Sequence, residues 1–400
     1  MSSIARSVFT AALLAAALAP AAAAQGQPAS GRFETVGRGV VSATRTTGVA
    51  AFRGPDGRDY ALTGTWGGCS GCKGDRVYVW DVTDPAAPVL TDSVVVDAKV
   101  VNDVAVNPEG TLAVLTRQQS RSKRDGLVVL DLAEPAHPKV AADYFETVTA
   151  GVQSVAIDGS LLYAVNAGTG ELHVIDLADP RDPREIGRWG LPKPDKHLED
   201  VAVRDGLAYL SHWNDGLVIL DVGNGVKGGT PAKPELVSQF RYRVTWRRQE
   251  YGNTAAAVPH TNAAGNAYVF VGDKIFPQRV NLDRPMETAG YVHVLDVSRP
   301  ERPLEVARWE VSGAGVSALK VQGDTLYAAF HNGGLRALDV SGELRGELHG
   351  REVGVLPTAD GRGYRPNLPF TLDVHPRGEL VYASDLNSGL WIARLAPTRP

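Results

Sequence analysis

Beyond the N-terminus, apolar residues fall into short β-branched runs that end in Gly, Asp or Pro. This pattern predicts many brief strands joined by tight turns, and 43 glycines and 25 prolines supply the turn chemistry. One five-residue run closed by aspartate recurs along the chain. It reads Val77-Tyr78-Val79-Trp80-Asp81, Leu127-Val128-Val129-Leu130-Asp131, Leu172-His173-Val174-Ile175-Asp176, Leu217-Val218-Ile219-Leu220-Asp221, Val292-His293-Val294-Leu295-Asp296 and Leu335-Arg336-Ala337-Leu338-Asp339, with a degenerate seventh copy at Leu390-Trp391-Ile392-Ala393-Arg394. The closing positions stand 50, 45, 45, 75, 43 and 55 residues apart. Around the third copy the whole unit is visible, with strands expected at 152–157, 161–166, 172–177 and 184–189. A Pro-x-x-Pro corner precedes the fourth strand at Pro85/Pro88, Pro135/Pro138, Pro180/Pro183, Pro231/Pro234 and Pro300/Pro303. Proline lacks an N–H, so it belongs beside an edge strand.

Seven such units of four strands predict an all-β fold, a seven-bladed β-propeller, as one domain over residues 32–397. The seventh unit lacks both the proline corner and an outer strand after Arg394, whereas residues 32–41 belong to no unit. That N-terminal segment is expected to supply the missing strand and close the ring, which removes an open sheet edge. The aspartate of each pentapeptide is expected to accept backbone N–H bonds in the corner that follows, as aspartate does in turns. Because it recurs once per unit, it serves the unit rather than a calcium site. These residues closely resemble the LVIVD repeat family, and the resemblance covers nearly all of the mature chain. Members of that family are mostly exported or cell-surface proteins of unassigned role, so the resemblance implies a fold and leaves activity open.

The first 24 residues have the form of a secretory signal. Arg6 is followed by an apolar run over 8–19, too short to span a bilayer, and Ala22-Ala23-Ala24 offers a cleavage site. Residues 25–31 are expected to be a flexible leader, and no later segment is apolar enough to cross a membrane. The mature chain is therefore expected outside the cytoplasm, periplasmic or secreted, and monomeric. Net charge is −4 with both signs interspersed, which argues against a nucleic-acid partner.

Connections in a four-stranded blade alternate between the two ends of the ring. The loops between second and third strands share one face with those leading to the next blade, and these are the long, chemically rich ones: 64–75, 116–126, 190–198, 212–216, 240–258, 272–290, 331–334, 351–369 and 385–389. The other face is expected to receive short turns. Long loops on a rigid scaffold are where binding concentrates. Trp66, Trp213, Trp246, Arg247, Asp273, Asn332 and Asp385 are the candidate binding residues of this face.

Cys69-Ser70-Gly71-Cys72 holds the only two cysteines. A four-thiolate zinc site is excluded, and Lys73 stands where covalent haem attachment needs histidine. A disulfide pinning a glycine-rich loop and a redox or metal role both remain open. The segment Trp66-Gly67-Gly68-Cys69-Ser70-Gly71-Cys72-Lys73-Gly74-Asp75 resembles the cysteine loop of the selenium-binding protein family, which includes copper-dependent methanethiol oxidases. That likeness, under 20 residues long, implies a possible copper or zinc site, for which His197, His212, His260 and His331 are the candidate ligands. His173 and His293, expected to be exposed, and His137, in an outer corner, are poorer candidates. No Ser-His-Asp set, phosphate loop or paired-carboxylate signature stands out. The expected function is a module that binds a protein or small-molecule ligand through the long-loop face. The alternatives are a metal-dependent oxidoreductase and a structural envelope protein.

Overall fold

A computed structural model describes residues 33–68, 73–148, 150–246, 249–276 and 287–396. Seven antiparallel four-stranded sheets stand in a ring. From the inside out, blade 1 comprises Arg45–Arg53, Asp59–Trp66, Arg76–Asp81 and Val89–Val95, and blade 2 Val104–Val106, Leu112–Arg117, Gly126–Asp131 and Lys139–Tyr144. Blade 3 comprises Val152–Asp158, Leu161–Asn166, Glu171–Asp176 and Arg184–Trp189, and blade 4 Asp200–Arg204, Leu207–His212, Gly216–Asp221 and Glu235–Phe240. Blade 5 comprises Thr254–Thr261, Ala267–Asp273, Tyr291–Asp296 and Leu304–Glu310, extended by the parallel pair Gly346–Glu347. Blade 6 comprises Val316–Gln322, Thr325–Phe330, Gly334–Asp339 and Glu352–Leu356. In blade 7, Thr371–Arg377, Leu380–Asp385 and Gly389–Leu395 are joined by Phe33–Gly39 as outer strand. The ring therefore closes as the sequence predicts, with Phe33 opposite Leu395 and Gly39 opposite Leu390.

The apolar third strands have a simple cause. Alternate residues of a strand face opposite sides, and here both sides meet another blade. In blade 2, Val128 and Leu130 pack toward blade 1 with Leu62 and Val79, while Leu127 and Val129 pack toward blade 3 with Leu162 and Ile175. In blade 4, Val218 and Leu220 pack toward blade 3, and Leu217 and Ile219 toward blade 5. Seven such apolar clusters occupy the seven interfaces between neighbouring blades. Outer strands lack this second covering, so the large exposed apolar residues Val89, Leu90, Val95, Val140, Ile186, Leu236 and Leu304 all lie there.

The pentapeptide aspartates accept the backbone N–H two residues on, at 3.0 Å from Asp81 to Thr83, 2.8 Å in blades 2, 3 and 5, and 2.9 Å from Asp339 to Ser341. Asp221 has the longest corner and collects the N–H groups of Gly223, Gly225, Lys227 and Gly229. Gly389 opens the third strand of blade 7 at φ 87°, and a Cβ there would stand 2.4 Å from the Gly39 carbonyl, so glycine lets the closing strand dock.

The separation of long and short connections is less complete than the sequence suggests. Residues 222–234 and 340–351 are long third-to-fourth connections and belong to the short-turn face. The expected loop 240–258 ends where Thr254 begins the inner strand of blade 5, and 351–369 includes the outer strand Glu352–Leu356 of blade 6. Among the described residues no helix is long and apolar enough to cross a membrane.

Removal of residues 33–39 should uncover the Gly389–Leu395 edge and the face packed by Phe33. The expected loss in unfolding free energy exceeds about 4 kcal/mol, the range of disruptive changes, with association through the open strand. Thermal unfolding and gel filtration check this, and a monomer of unchanged Tm would contradict it.

Candidate functional site

The inner strands enclose a central cavity of about 370 Å³. Three of its walls carry an aspartate at the same register position, just before a buried valine: Asp103-Val104, Asp200-Val201 and Asp373-Val374. Ser154 holds that position in blade 3. The local bonding explains why polar residues persist here. Asp103 accepts the N–H of Val104 at 2.8 Å and that of Val155 in the next blade at 2.9 Å. Asp373 does the same with Val374 at 2.8 Å and, across the ring closure, with Val49 at 2.9 Å. Ser154 Oγ lies 2.5 Å from Asp200 and 3.2 Å from Asp103, with one proton to share between them.

Lys320 of blade 6 and His375 of blade 7 line the same cavity. Burial opposes the charge of Lys320, but Asp373, Asp200 and Asp103 outweigh it and raise the ammonium pKa, so the side chain stays protonated. Its surface is open to the cavity, yet it makes no direct hydrogen bond or ion pair among the described residues. Burial lifts Asp200 and Asp373 to about 6, with Lys320 opposing and Asp103 adding to the rise. Burial and the nearby Lys320 bring His375 down to about 4, so it is neutral at physiological pH.

At the long-loop end, Glu199 and Lys274 form a close ion pair that also lines the cavity. Burial would raise the Glu199 carboxyl, but Lys274 and His197 outweigh it and hold it at about 2. His197 Nε2 is 2.8 Å from the second Glu199 oxygen, and Gln153 donates to the first at 3.3 Å. Lys274 lies 5.8 Å above the Trp213 ring, and Trp213 meets His197 edge-on at 5.3 Å. His331 is buried between Phe276 and Phe370, at 5.1 and 4.6 Å, and burial followed by Lys274 lowers it to about 3.

These positions sort the residues singled out from sequence. His197, His212 and His331 lie at the long-loop end, but His260 is near the other end of its strand, 3.2 Å from Asp324 of a short turn. His212 is fully buried beside Trp189, and burial takes it down to about 4. The four histidines are thus not gathered, and among the described residues no three His, Cys, Asp or Glu side chains are grouped to hold a metal ion. Cys69, Cys72, Arg247 and the Trp246 side chain lie outside the described residues. Trp66 packs with Phe370 and Leu386, and Asn332 bonds to Thr288 at 2.8 Å. Asp385 is fully buried and braces loops by accepting from Thr358 at 2.7 Å and the Phe370 N–H at 2.6 Å.

His173 and His293, expected to be exposed, are 1% and 3% exposed. Their third strands are covered on both faces, and each ring is satisfied by a carboxylate of the outer strand, Glu185 at 2.8 Å and Glu305 at 2.9 Å. His293 also meets fully buried Asp273 at 2.8 Å, which in turn accepts the Tyr242 hydroxyl. Asp273 is accordingly an internal brace and not an accessible contact of the face.

Two stretches, 197–241 and 314–343, match the model of the LVIVD repeat. They hold blade 4 and the inner three strands of blade 6. The crystal structure of the computationally designed Ika8 protein aligns with a TM-score of 0.53 over 90% of this chain and 99% of that one, at 10% identity, a likeness of fold alone. No curated protein matches the sequence. Fold and channel define a β-propeller, a general binding-module architecture. More particularly, this is a seven-bladed propeller that carries LVIVD repeats.

Burial lowers the pKa of His293, but Asp273 and Glu305 outweigh it and hold it at about 9. The folded pKa exceeds the ordinary 6.5, so this stabilisation is fully present below pH 6.5 and disappears as pH rises through 9. Wild type should therefore lose on the order of 3 kcal/mol relative to H293Q across that window. Denaturant unfolding at pH 6 and pH 9.5 measures it, and parallel pH dependences for the two proteins would refute it.

Proposed function

We propose that this chain is an extracytoplasmic binding module that admits a small ligand from the long-loop face into the central channel. The observation that carries the reading is the continuity of the mouth and the channel. Glu199, Lys274 and Gln153 line the same cavity as Asp103, Asp200, Asp373 and Lys320. Volumes of a few hundred Å³ with convergent polar groups are typical of small-molecule sites. At this end Trp213 lies beside the Glu199–Lys274 pair, and Phe276 and Phe370 pack against the neutral His331. Location outside the cytoplasm rests on the signal-like form of residues 1–24.

A thermal-shift screen of a small-metabolite library tests this reading, run on wild type and on the double variant E199Q/K274M. Ligands present at about 100 times their Kd should stabilise wild type by roughly 2.7 kcal/mol, and the variant markedly less. A screen without stabilising compounds, or with compounds equally effective on both proteins, would overturn it.

A further inference from the structure

The cations of the long-loop face fall into two groups. Over blades 3 to 5, Lys193 meets Asp215 at 2.7 Å, Arg241 meets the same carboxylate at 3.3 Å, and Lys196 meets Glu171 at 2.9 Å. Over blades 1 and 2 the same face carries Lys73, Lys99, Arg121, Lys123 and Arg124, all exposed, and among the described residues none of the five makes an ion pair. Arg124 rests over the Phe145 ring at 4.4 Å.

These five side chains come from three connections that are bonded into one surface. The Lys99 N–H donates to the Gln118 carbonyl at 3.0 Å, and the Gly67 N–H donates to the Lys99 carbonyl at 2.8 Å. A Cβ on Gly74 would stand 1.9 Å from that carbonyl oxygen, so residues 73–74 lie against it. Asp97 ties in the third connection by accepting the N–H groups of Arg121 and Ser122, each at 3.0 Å.

The acids of this region are otherwise engaged. Asp97 takes those two N–H groups, Asp125 accepts the Ser120 N–H at 2.5 Å, Asp75 pairs with Arg76 at 2.8 Å, and Asp143 pairs with buried Arg117 at 2.7 Å. Short aspartates bonded to backbone stay close to the chain, whereas lysine and arginine carry their charge outward on long stems. A plane approaching this end of the propeller therefore meets cations first. The chain's net charge of −4 counts for little at that range, because salt screens exposed charges more than about 10 Å apart.

We propose that the long-loop face over blades 1 and 2 docks on an anionic phospholipid bilayer through Lys73, Lys99, Arg121, Lys123 and Arg124. Five exposed charges distributed over three connections at one end of the ring match a plane of many phosphates. The proposal goes beyond the binding-module reading and stands without it. Docking in this way sets the channel mouth, which opens on the same face, toward the bilayer.

Co-sedimentation of the full protein with lipid vesicles tests the proposal. Wild type should bind vesicles of phosphatidylglycerol mixed with phosphatidylcholine at about 0.1 M salt. It should release them near roughly 1 M, where the Debye length falls to about 3 Å, and ignore phosphatidylcholine alone. R121Q/K123Q/R124Q should weaken binding roughly a hundredfold, or about fivefold for each cation removed. R181Q/R299Q/R302Q removes the same charge from exposed corners of the opposite face and should bind nearly as wild type does. Both sets are surface substitutions, and an unchanged Tm in each keeps folding out of the comparison. Equal binding by wild type and the loop variant, equal losses in both variants, or retention on a sulfated polysaccharide or DNA without binding to vesicles would overturn the proposal. Its failure leaves the channel reading in place, because the metabolite screen with E199Q/K274M reads a separate site.

Discussion

Burial of each blade on both of its faces is the constraint on which the rest of this structure depends. There is no single core. Apolar contact is divided among seven interfaces between neighbouring blades, and the third strand of each blade contributes to two of them. A half-buried strand would alternate apolar and polar residues, whereas one covered on both sides must be apolar throughout. Leu217-Val218-Ile219-Leu220 is that rule written out. It follows that blades hold one another in place, and that the inner strands have no need to fill the centre. The axis is left free for polar groups.

The architecture was legible in the sequence because it repeats. Seven pentapeptides, five proline corners and an orphan N-terminal segment sufficed to give the blade number and the manner of closure, and the corner aspartates took the bonding role expected of them. The site was less legible. Histidines and loop residues stand out in the sequence, whereas Asp103, Asp200, Asp373 and Lys320 line one cavity only because the ring brings blades 2, 4, 6 and 7 around one axis. A signal was present: Asp precedes Val at the start of three inner strands, in Asn102-Asp103-Val104, Glu199-Asp200-Val201 and Leu372-Asp373-Val374. His173 and His293 were misplaced for a related reason. A polar residue inside an apolar strand suggests an open face, but here a glutamate twelve residues later supplies a partner and makes burial tolerable.

The inner aspartates also join two levels of organisation. By accepting an N–H of the neighbouring blade, Asp103 and Asp373 align adjacent inner strands along the axis. The same carboxylates present their remaining acceptor capacity to the channel. Polar groups that serve as blade clasps therefore shape the electrostatics of the cavity. In this position they are costly when ionised, since burial raises Asp200 and Asp373 to about 6.

The closing strand sets a timetable. Phe33–Gly39 pairs with Gly389–Leu395, so the earliest strand of the propeller waits for the last to be made. At ordinary synthesis rates of roughly 5–20 residues per second, that interval is on the order of tens of seconds. The first six blades are each built from contiguous chain, while the seventh needs both ends of the propeller. Until residues 389–395 are made, Phe33–Gly39 has no partner in its sheet, and an unfinished chain carries that strand edge open to mispairing with another chain.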